Sequence, residues 1–294
     1  MLFGVWKTGL MDVSRAVLIT GCSSGIGRAT AERLARSGWT VYATARSTDS
    51  IADLGRAGCR VLELDVTDEE SMRAAIASVE HAEGAVGVLV NNAGYSLSGA
   101  IESVPLDEVR RQFETNVFGL VRLSQLVLPA MRRQGFGRIV NLSSMGGRLT
   151  LPGGGFYHAS KHAVEALSDA LRFEVQGFGV DVVVIEPGLI RTGFADAAVG
   201  TIADRSEDPA GPYDGFNQAV AAATAGAYRN GIGRTLGGGP ETVARAIEKA
   251  ISAGRPHTRY RVTGSARLFL TLRRLLPDRL WDALVARTFP QPKP

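Results

Sequence analysis

From residue 16 to residue 186 the chain alternates short β-rich runs with helical stretches, and that alternation leaves few folds open. The runs are 16–20, 40–45, 60–66, 87–92, 138–143 and 181–186. Most are apolar almost throughout, as strands are when both faces of their sheet are covered. Between them lie helical stretches at 25–37, 68–81, 106–134 and 155–176. Asp68, Glu69 and Glu70 give the second of these the acidic start that a helix dipole favours. Strand and helix in regular succession predict an α/β fold, a doubly wound parallel sheet with helices on both faces. A chain of 294 residues can hold this as a single domain, expected over 16–264.

The pattern loosens after Pro187. Residues 193–239 are rich in Gly, Ala, Asp and Thr and have weak periodicity, which reads as a mobile segment over a pocket, a substrate lid rather than a second domain. A helix is expected over 240–253, opened by Pro-Glu-Thr, and an extra edge strand at 260–263. Residues 1–15 form an N-terminal extension and 265–294 a C-terminal one. The latter carries Leu268, Phe269, Leu272, Leu275, Leu276, Leu280, Trp281 and Leu284 among arginines at roughly helical spacing, broken at Pro277-Asp278. Such a tail can cover a substrate pocket, make a dimer contact or rest on a membrane surface.

Charge sharpens that picture. The formal net charge is +4, but residues 255–294 hold nine Lys/Arg against two Asp/Glu, leaving −3 for the rest. The basic tail reads first as a solvated face, and nothing points to nucleic acid. Cys22 and Cys59 provide neither a disulfide framework nor zinc-ligand spacing, so a reducing, cytoplasmic setting is the default. No apolar run reaches the roughly 18 residues of a membrane span. The start, 1–14, is too short and too weakly charged for a signal peptide, and Met11 is an alternative start.

The first strand leads into Thr20-Gly21-Cys22-Ser23-Ser24-Gly25-Ile26-Gly27, which opens a helix. Glycines permit a tight turn and a close backbone approach to a pyrophosphate, whose charge the helix N-terminus stabilises. The spacing is Gly-x-x-x-Gly-x-Gly, a variant of the dinucleotide-binding fingerprint. Gly21-Cys22-Ser23-Ser24-Gly25 also fits Gly-x-Ser-x-Gly, the nucleophile elbow of serine hydrolases. An elbow on the first strand is unusual, and no oxyanion-hole motif precedes Ser23. Arg46 ends the second strand, where sites for NAD usually carry an acid. An arginine there can grip a 2′-phosphate with its planar fork, which favours NADP(H).

Tyr157 and Lys161 lie four apart in a helical stretch and share a face. Unperturbed, a tyrosine titrates near ~10 and a lysine near ~10.4, so neither alone is a base at neutral pH. A neighbouring ammonium favours phenolate and suits the pair to exchange a proton with an alcohol or carbonyl oxygen. His158 and His162 share the same spacing, but no third ligand accompanies them in a recognisable metal-binding pattern. Ser143 and Ser144 end the strand before this helix, and Asn91-Asn92-Ala93-Gly94 ends another at the same sheet edge. Asn116 lies within the long helix that follows.

With these pieces assembled, the chain resembles the short-chain dehydrogenase/reductase family. The match comprises 20–27, 91–94, Asn116, Ser144, Tyr157-x-x-x-Lys161, and Pro187-Gly188 with Thr192, in family order over 16–192. The resemblance implies a Rossmann-type domain and gives each residue a role. Tyr157 is the general acid/base, Lys161 supports it and holds the nicotinamide ribose, Ser144 binds the substrate oxygen, and Asn116 steadies a water. Gly21, Ser23, Ser24, Gly25, Ile26 and Gly27 cradle the phosphates. Asp65 faces the adenine, Asn91 supports the adenosine ribose side and Thr192 the carboxamide, with Val66, Ala93, Gly94, Pro187 and Gly188 as further cofactor-binding positions. Asn91 and Asn92 can also be strand-end turn residues, and Thr192 a helix cap.

The 41–46 strand and the extended C-terminus look like members related to 17β-hydroxysteroid and retinol dehydrogenases. This implies a hydrophobic ketone, aldehyde or secondary alcohol, steroid-, retinoid- or lipid-like. Tyr95, Leu97, Leu149, Phe156 and Phe194 are candidates for an apolar pocket, with loop anchoring the alternative for each. The resemblance also implies a homodimer or homotetramer through helices 106–134 and 155–176. A catalytically idle NADP(H)-binding regulator is the competing function class. An intact Asn116–Ser144–Tyr157–Lys161 set argues against it, because a sensor needs no proton relay.

Overall fold

The computed structural model describes residues 13–203, 211–229, 231–289 and 291–292. Most of the N-terminal extension, eight residues of the 193–239 segment and Lys293 lie outside the described residues.

Seven strands form one sheet in the order β3-β2-β1-β4-β5-β6-β7, every neighbouring pair parallel. They are β1 (Val17–Ile19), β2 (Val41–Ala45), β3 (Arg60–Glu63), β4 (Val88–Asn91), β5 (Gly137–Leu142), β6 (Val180–Glu186) and β7 (Arg259–Arg261). Side chains alternate across a strand, and here both faces are buried. Val17 and Ile19 of β1 join one core cluster while Leu18 joins the other. Val88 and Val90 of β4 are likewise separated from Leu89. This is why the strands read as unbroken apolar runs.

The helices are α1 (Gly25–Arg36), α2 (Ala52–Arg56), α3 (Glu69–Glu83), α4 (Leu106–Phe113), α5 (Gly119–Gln134), α6 (Gly155–Val175), α7 (Phe194–Ala203), α8 (Asp214–Arg229), α9 (Gly231–Leu236), α10 (Pro240–Ser252), α11 (Gly264–Leu275) and α12 (Asp278–Val285). Leu34 of α1 and Val243 and Ile247 of α10 cover one face of the sheet. Met72, Ile76 and Val79 of α3 and Leu123 and Val127 of α5 cover the other. Asp68 caps α3, its carboxylate accepting from the Glu70 and Ser71 N–H groups. Arg138, 3% exposed, caps the far end of α10 by donating to the carbonyls of Ala250, Ile251 and Ala253.

The structure departs from the sequence pattern at three places. The weakly periodic 193–239 segment is largely helical, as α7, α8 and α9. The expected helix over 106–134 is interrupted by a π turn, Glu114–Phe118, between α4 and α5. Strand β3 stops at Glu63, so Asp65 and Val66 lie beyond its end. The extra edge strand is present as β7, and the C-terminal extension forms α11 and α12 around Pro277. No helix among the described residues is long and apolar enough to cross a membrane.

Candidate active site

The turn after β1 needs its glycines. Gly21 has φ +71° and Gly25 φ +58°, conformations that side chains with a Cβ rarely adopt. At Gly27 a Cβ would overlap the Gly21 carbonyl oxygen and stand 2.5 Å from Asn92 Nδ2, so only glycine lets α1 pack this close. Asn92 Nδ2 donates to the carbonyls of Thr20 at 2.8 Å and Gly21 at 3.0 Å. Thr20 Oγ1 in return accepts from the N–H groups of Asn92 and Ala93. Thr20 and Asn92 therefore tie the turn to the end of β4. Neither was a predicted site residue, although both stood inside recognised motifs.

Ser24 precedes α1 but makes no side-chain capping bond, and Ser23 and Ser24 are exposed. The first N–H groups of the helix thus face outward, which suits an anion. Thr192 lies across the turn, 3.6 Å from where a Gly25 Cβ would be, and also accepts from the Phe194 N–H as a cap. Arg46 follows β2, exposed and without an ion-pair partner among the described residues, whereas Arg28 nearby is committed to Asp53. Cys22 is buried with its thiol pushed up to about 12 by desolvation, which removes it as a nucleophile. None of the four histidines hydrogen-bonds to Ser23, as a hydrolase elbow requires.

Three elements meet at the same edge. Lys161 of α6 is 6% exposed, and its Nζ donates to the Leu142 carbonyl of β5 at 2.7 Å and lies 6.0 Å from the Tyr157 ring centre. Burial pulls its ammonium down to about 8, while the charge of Glu165 works the other way. Tyr157 is half-buried, its ring edge-on to Phe194 at 5.5 Å and to His158 at 5.6 Å. Ser144 Oγ accepts from the Gly146 N–H at 3.0 Å, leaving the hydroxyl hydrogen for a ligand oxygen. Ser143 is buried under Gly147, where a Cβ would come 2.6 Å from its Oγ, so Ser144 is the presented serine.

Asn116 sits in the π turn. Its carboxamide exchanges hydrogen bonds with the Tyr95 N–H (3.0 Å) and carbonyl (2.9 Å), and donates to Ser160 Oγ at 3.1 Å. The side chain therefore staples the loop after β4 to α6. A π turn also takes main-chain polar groups out of the regular helical ladder, a common device at functional sites. A Cβ on Gly94 would stand 3.0 Å from Asn116 Oδ1 and 3.6 Å from Lys161 Nζ, so these three positions converge. His158 is buried with Nδ1 on the Gly146 carbonyl at 3.1 Å, and desolvation lowers it to about 4. It is a neutral clasp on the loop behind Ser144. His162 is exposed, its Nδ1 on the His158 carbonyl.

Other predicted residues are placed differently. The Asn91 side chain turns away into the core, donating to Asn141 Oδ1 at 2.9 Å and Ser124 Oγ at 3.3 Å. It cannot face a ribose, and only its main chain lies at the edge. Asp65 Oδ1 accepts from the N–H and hydroxyl of Thr67, which leaves Oδ2 for a ligand. Gly188 is packed under the C-terminal extension, where a Cβ would stand 2.5 Å from Thr263 Oγ1. Ser265 Oγ accepts from the next N–H, that of Leu189. Leu97 and Phe156, two of the pocket candidates, pack in one apolar cluster with Val104, Val109 and Phe113. Leu149 lines a cavity of about 640 Å³ beside the loop joining Ser144 to Tyr157, with Ile101, Leu151, Phe216 and Trp281.

Comparison with known proteins agrees with this architecture. A family model described as short chain dehydrogenase matches residues 15–201. Human 17-beta-hydroxysteroid dehydrogenase type 1 is 36% identical over 277 residues, which cover 89% of this chain and 80% of the human one. A short-chain dehydrogenase/reductase from Burkholderia phymatum, solved with NAD, superposes with a TM-score of 0.75 at 27% identity, covering 97% of this chain and 100% of its own. A serine dehydrogenase solved with NADP+ gives 0.72 at 26%, covering 84% and 94%. A strand-bound glycine turn joined to a tyrosine–lysine pair defines a Rossmann-type oxidoreductase. The chain belongs to the short-chain dehydrogenase/reductase family.

Proposed function

We propose that this protein is an NADP(H)-dependent oxidoreductase that interconverts a ketone or aldehyde and the corresponding alcohol. The observation that carries the reading is the buried Lys161 beneath the half-buried Tyr157, on one face of α6. A lysine held this far from water costs stability, and a buried ammonium beside a tyrosine in this position marks a functional group.

The glycine turn, the outward N–H groups of α1 and the ribose-side surface at Ala93 and Gly94 fit a nicotinamide dinucleotide. Gly21, Ser23, Ser24, Gly25, Ile26 and Gly27 would hold its phosphates. Asp65 and Val66 would hold the adenine, and Pro187 and Thr192 the carboxamide. Bound there, the reduced cofactor supplies hydride to a carbonyl carbon. In that direction Ser144 donates its free hydrogen to the substrate oxygen, and Tyr157 delivers the proton that completes the alcohol. Lys161 stabilises the phenolate that remains, and Asn116 holds the loop and helix that frame the pair. The exposed Arg46 supports NADP(H) over NAD(H), since its guanidinium has no acidic partner among the described residues.

A hydrophobic substrate is supported by the steroid named for the human relative. Helices α7 to α9 serve as the cover of 193–239, and α11 with α12 as its outer wall, since Leu270 and Trp281 bury against Met145, Leu149 and Leu189. The opposite side of this pair exposes Leu275 and Leu280 among arginines, a face for a lipid surface contacted from the cytoplasm. A homodimer through α5 and α6 completes the reading.

The test is a panel of hydrophobic ketones and aldehydes scored by loss of NADPH absorbance, with wild type and Arg46→Asp. Turnover with a strong NADPH preference that weakens at least about tenfold in Arg46→Asp is expected. Tight NADPH binding with no turnover of any compound would favour the idle regulator instead.

A further inference from the structure

One turn beyond Lys161 on α6 lies Glu165, 5% exposed and outside the proton-transfer set described above. Its Oε2 meets Arg259 Nε of β7 at 3.0 Å and Arg148 of the loop after β5 at 3.9 Å. Its Oε1 has no hydrogen-bond partner among the described residues. Arg259 is shared, reaching Glu186 of β6 at 3.3 Å and Asp169 of α6 at 2.6 Å. Arg261 and Arg148 also face Glu186. The arginines thus have other acids to satisfy, and one oxygen of Glu165 is left uncommitted in a dry interior.

Lys161 is in the opposite position. From β5 it receives the neutral Leu142 carbonyl and from its own helix the Tyr157 ring, while the neutral Asn116 of the π turn lies on the other side of Gly94. The Glu165 carboxylate is the acidic group whose field reaches it. Gly147 lets the catalytic loop pack closely on this turn of α6, since a Cβ there would stand 2.9 Å from the Lys161 main-chain carbonyl and 3.0 Å from Glu165 Cγ. Water is kept out and the field between the two groups stays strong.

We propose that Glu165 is a positioning residue that keeps Lys161 charged in its buried site, and so sets the pH range over which Tyr157 exchanges its proton. The ion cluster around Arg259 then has a purpose: it fixes the Glu165 carboxylate on α6 through one oxygen and leaves the other uncommitted. The inference rests on reading Tyr157 and Lys161 as the proton-transfer pair.

The sequence makes the test direct, because Lys161 is one of only four lysines, with Lys7, Lys249 and Lys293. In cofactor-free protein labelled with ¹³C,¹⁵N-lysine, the side-chain resonances report the Lys161 titration, expected near pH 8 in wild type. Glu165→Gln keeps the shape and can still accept from Arg259, but loses the charge. Its Lys161 midpoint should fall by about one unit or more. Glu165→Asp keeps the charge and should hold the midpoint within about 0.3 unit of wild type, although it packs less well. The alkaline limb of the kcat profile should move with the NMR midpoint. An unchanged midpoint in folded Glu165→Gln, or equal shifts in both variants, would overturn the proposal. Failure of the underlying reading would look different: turnover would survive loss of the Tyr157 hydroxyl whatever the lysine does.

Discussion

His158 follows the proposed proton donor directly and has no room to accept a proton. Its ring is held between Gly146 and Gly154, and burial lowers it to about 4 from the ordinary 6.5. The unfolded chain takes up a proton as pH falls through 6.5, whereas the folded protein resists until about 4. Stability is therefore fully present above pH 6.5 and drains away between 6.5 and 4, by about 3 kcal/mol. Urea unfolding at pH 7, 6 and 5 should give a flatter pH dependence for His158→Gln than for wild type; identical slopes would contradict this. The residue scale is also where the sequence was most legible. Tyr157, Lys161 and Ser144 could be found because their spacing is fixed by one helix and one strand end. Strand parity explains why the Asn91 side chain turns into the core: it lies on the same side as Leu89, which packs toward α5.

At the scale of elements, the strands declared themselves through uninterrupted burial, and α3 through Asp68 at its start. Helices α7 to α9 did not. The α8 sequence is alanine-rich with few charges, so helix propensity is high but no polar face stands against an apolar one to create a period. The π turn at Asn116 was equally hidden, because it costs one register shift that composition does not reveal. The C-terminal pair α11 and α12 is joined to the site by Trp281, 5% exposed against the cluster of Met145, Leu149 and Leu189. Trp281→Ala should cost about 3–5 kcal/mol if this packing is part of the cooperative fold. Loss of less than about 1 kcal/mol in denaturant titration would mean the pair is only loosely attached.

The whole molecule presents an apolar surface that one chain does not cover. Phe118 beside α5 is 54% exposed, and Leu167 and Phe173 of α6 are 40% and 84% exposed. Between them α6 shows small residues, Ala159, Ala166 and Ala170, which permit close helix packing. Sedimentation equilibrium should give at least twice the 31.2 kDa chain mass, and Phe173→Asp should shift the population toward monomer. A wild type that sediments as a 31.2 kDa species would remove the dimer. Since α6 also carries Tyr157 and Lys161, such an interface would stiffen the helix on which the chemistry depends.

The most direct measurement is the turnover of Tyr157→Phe beside its dinucleotide affinity. The substitution deletes one oxygen and leaves the ring against Phe194 and His158. The account predicts a loss of kcat of about 10²–10⁴-fold with NADPH bound as tightly as in wild type. A variant that still reduced its best ketone within about threefold of wild type would show that the proton comes from elsewhere.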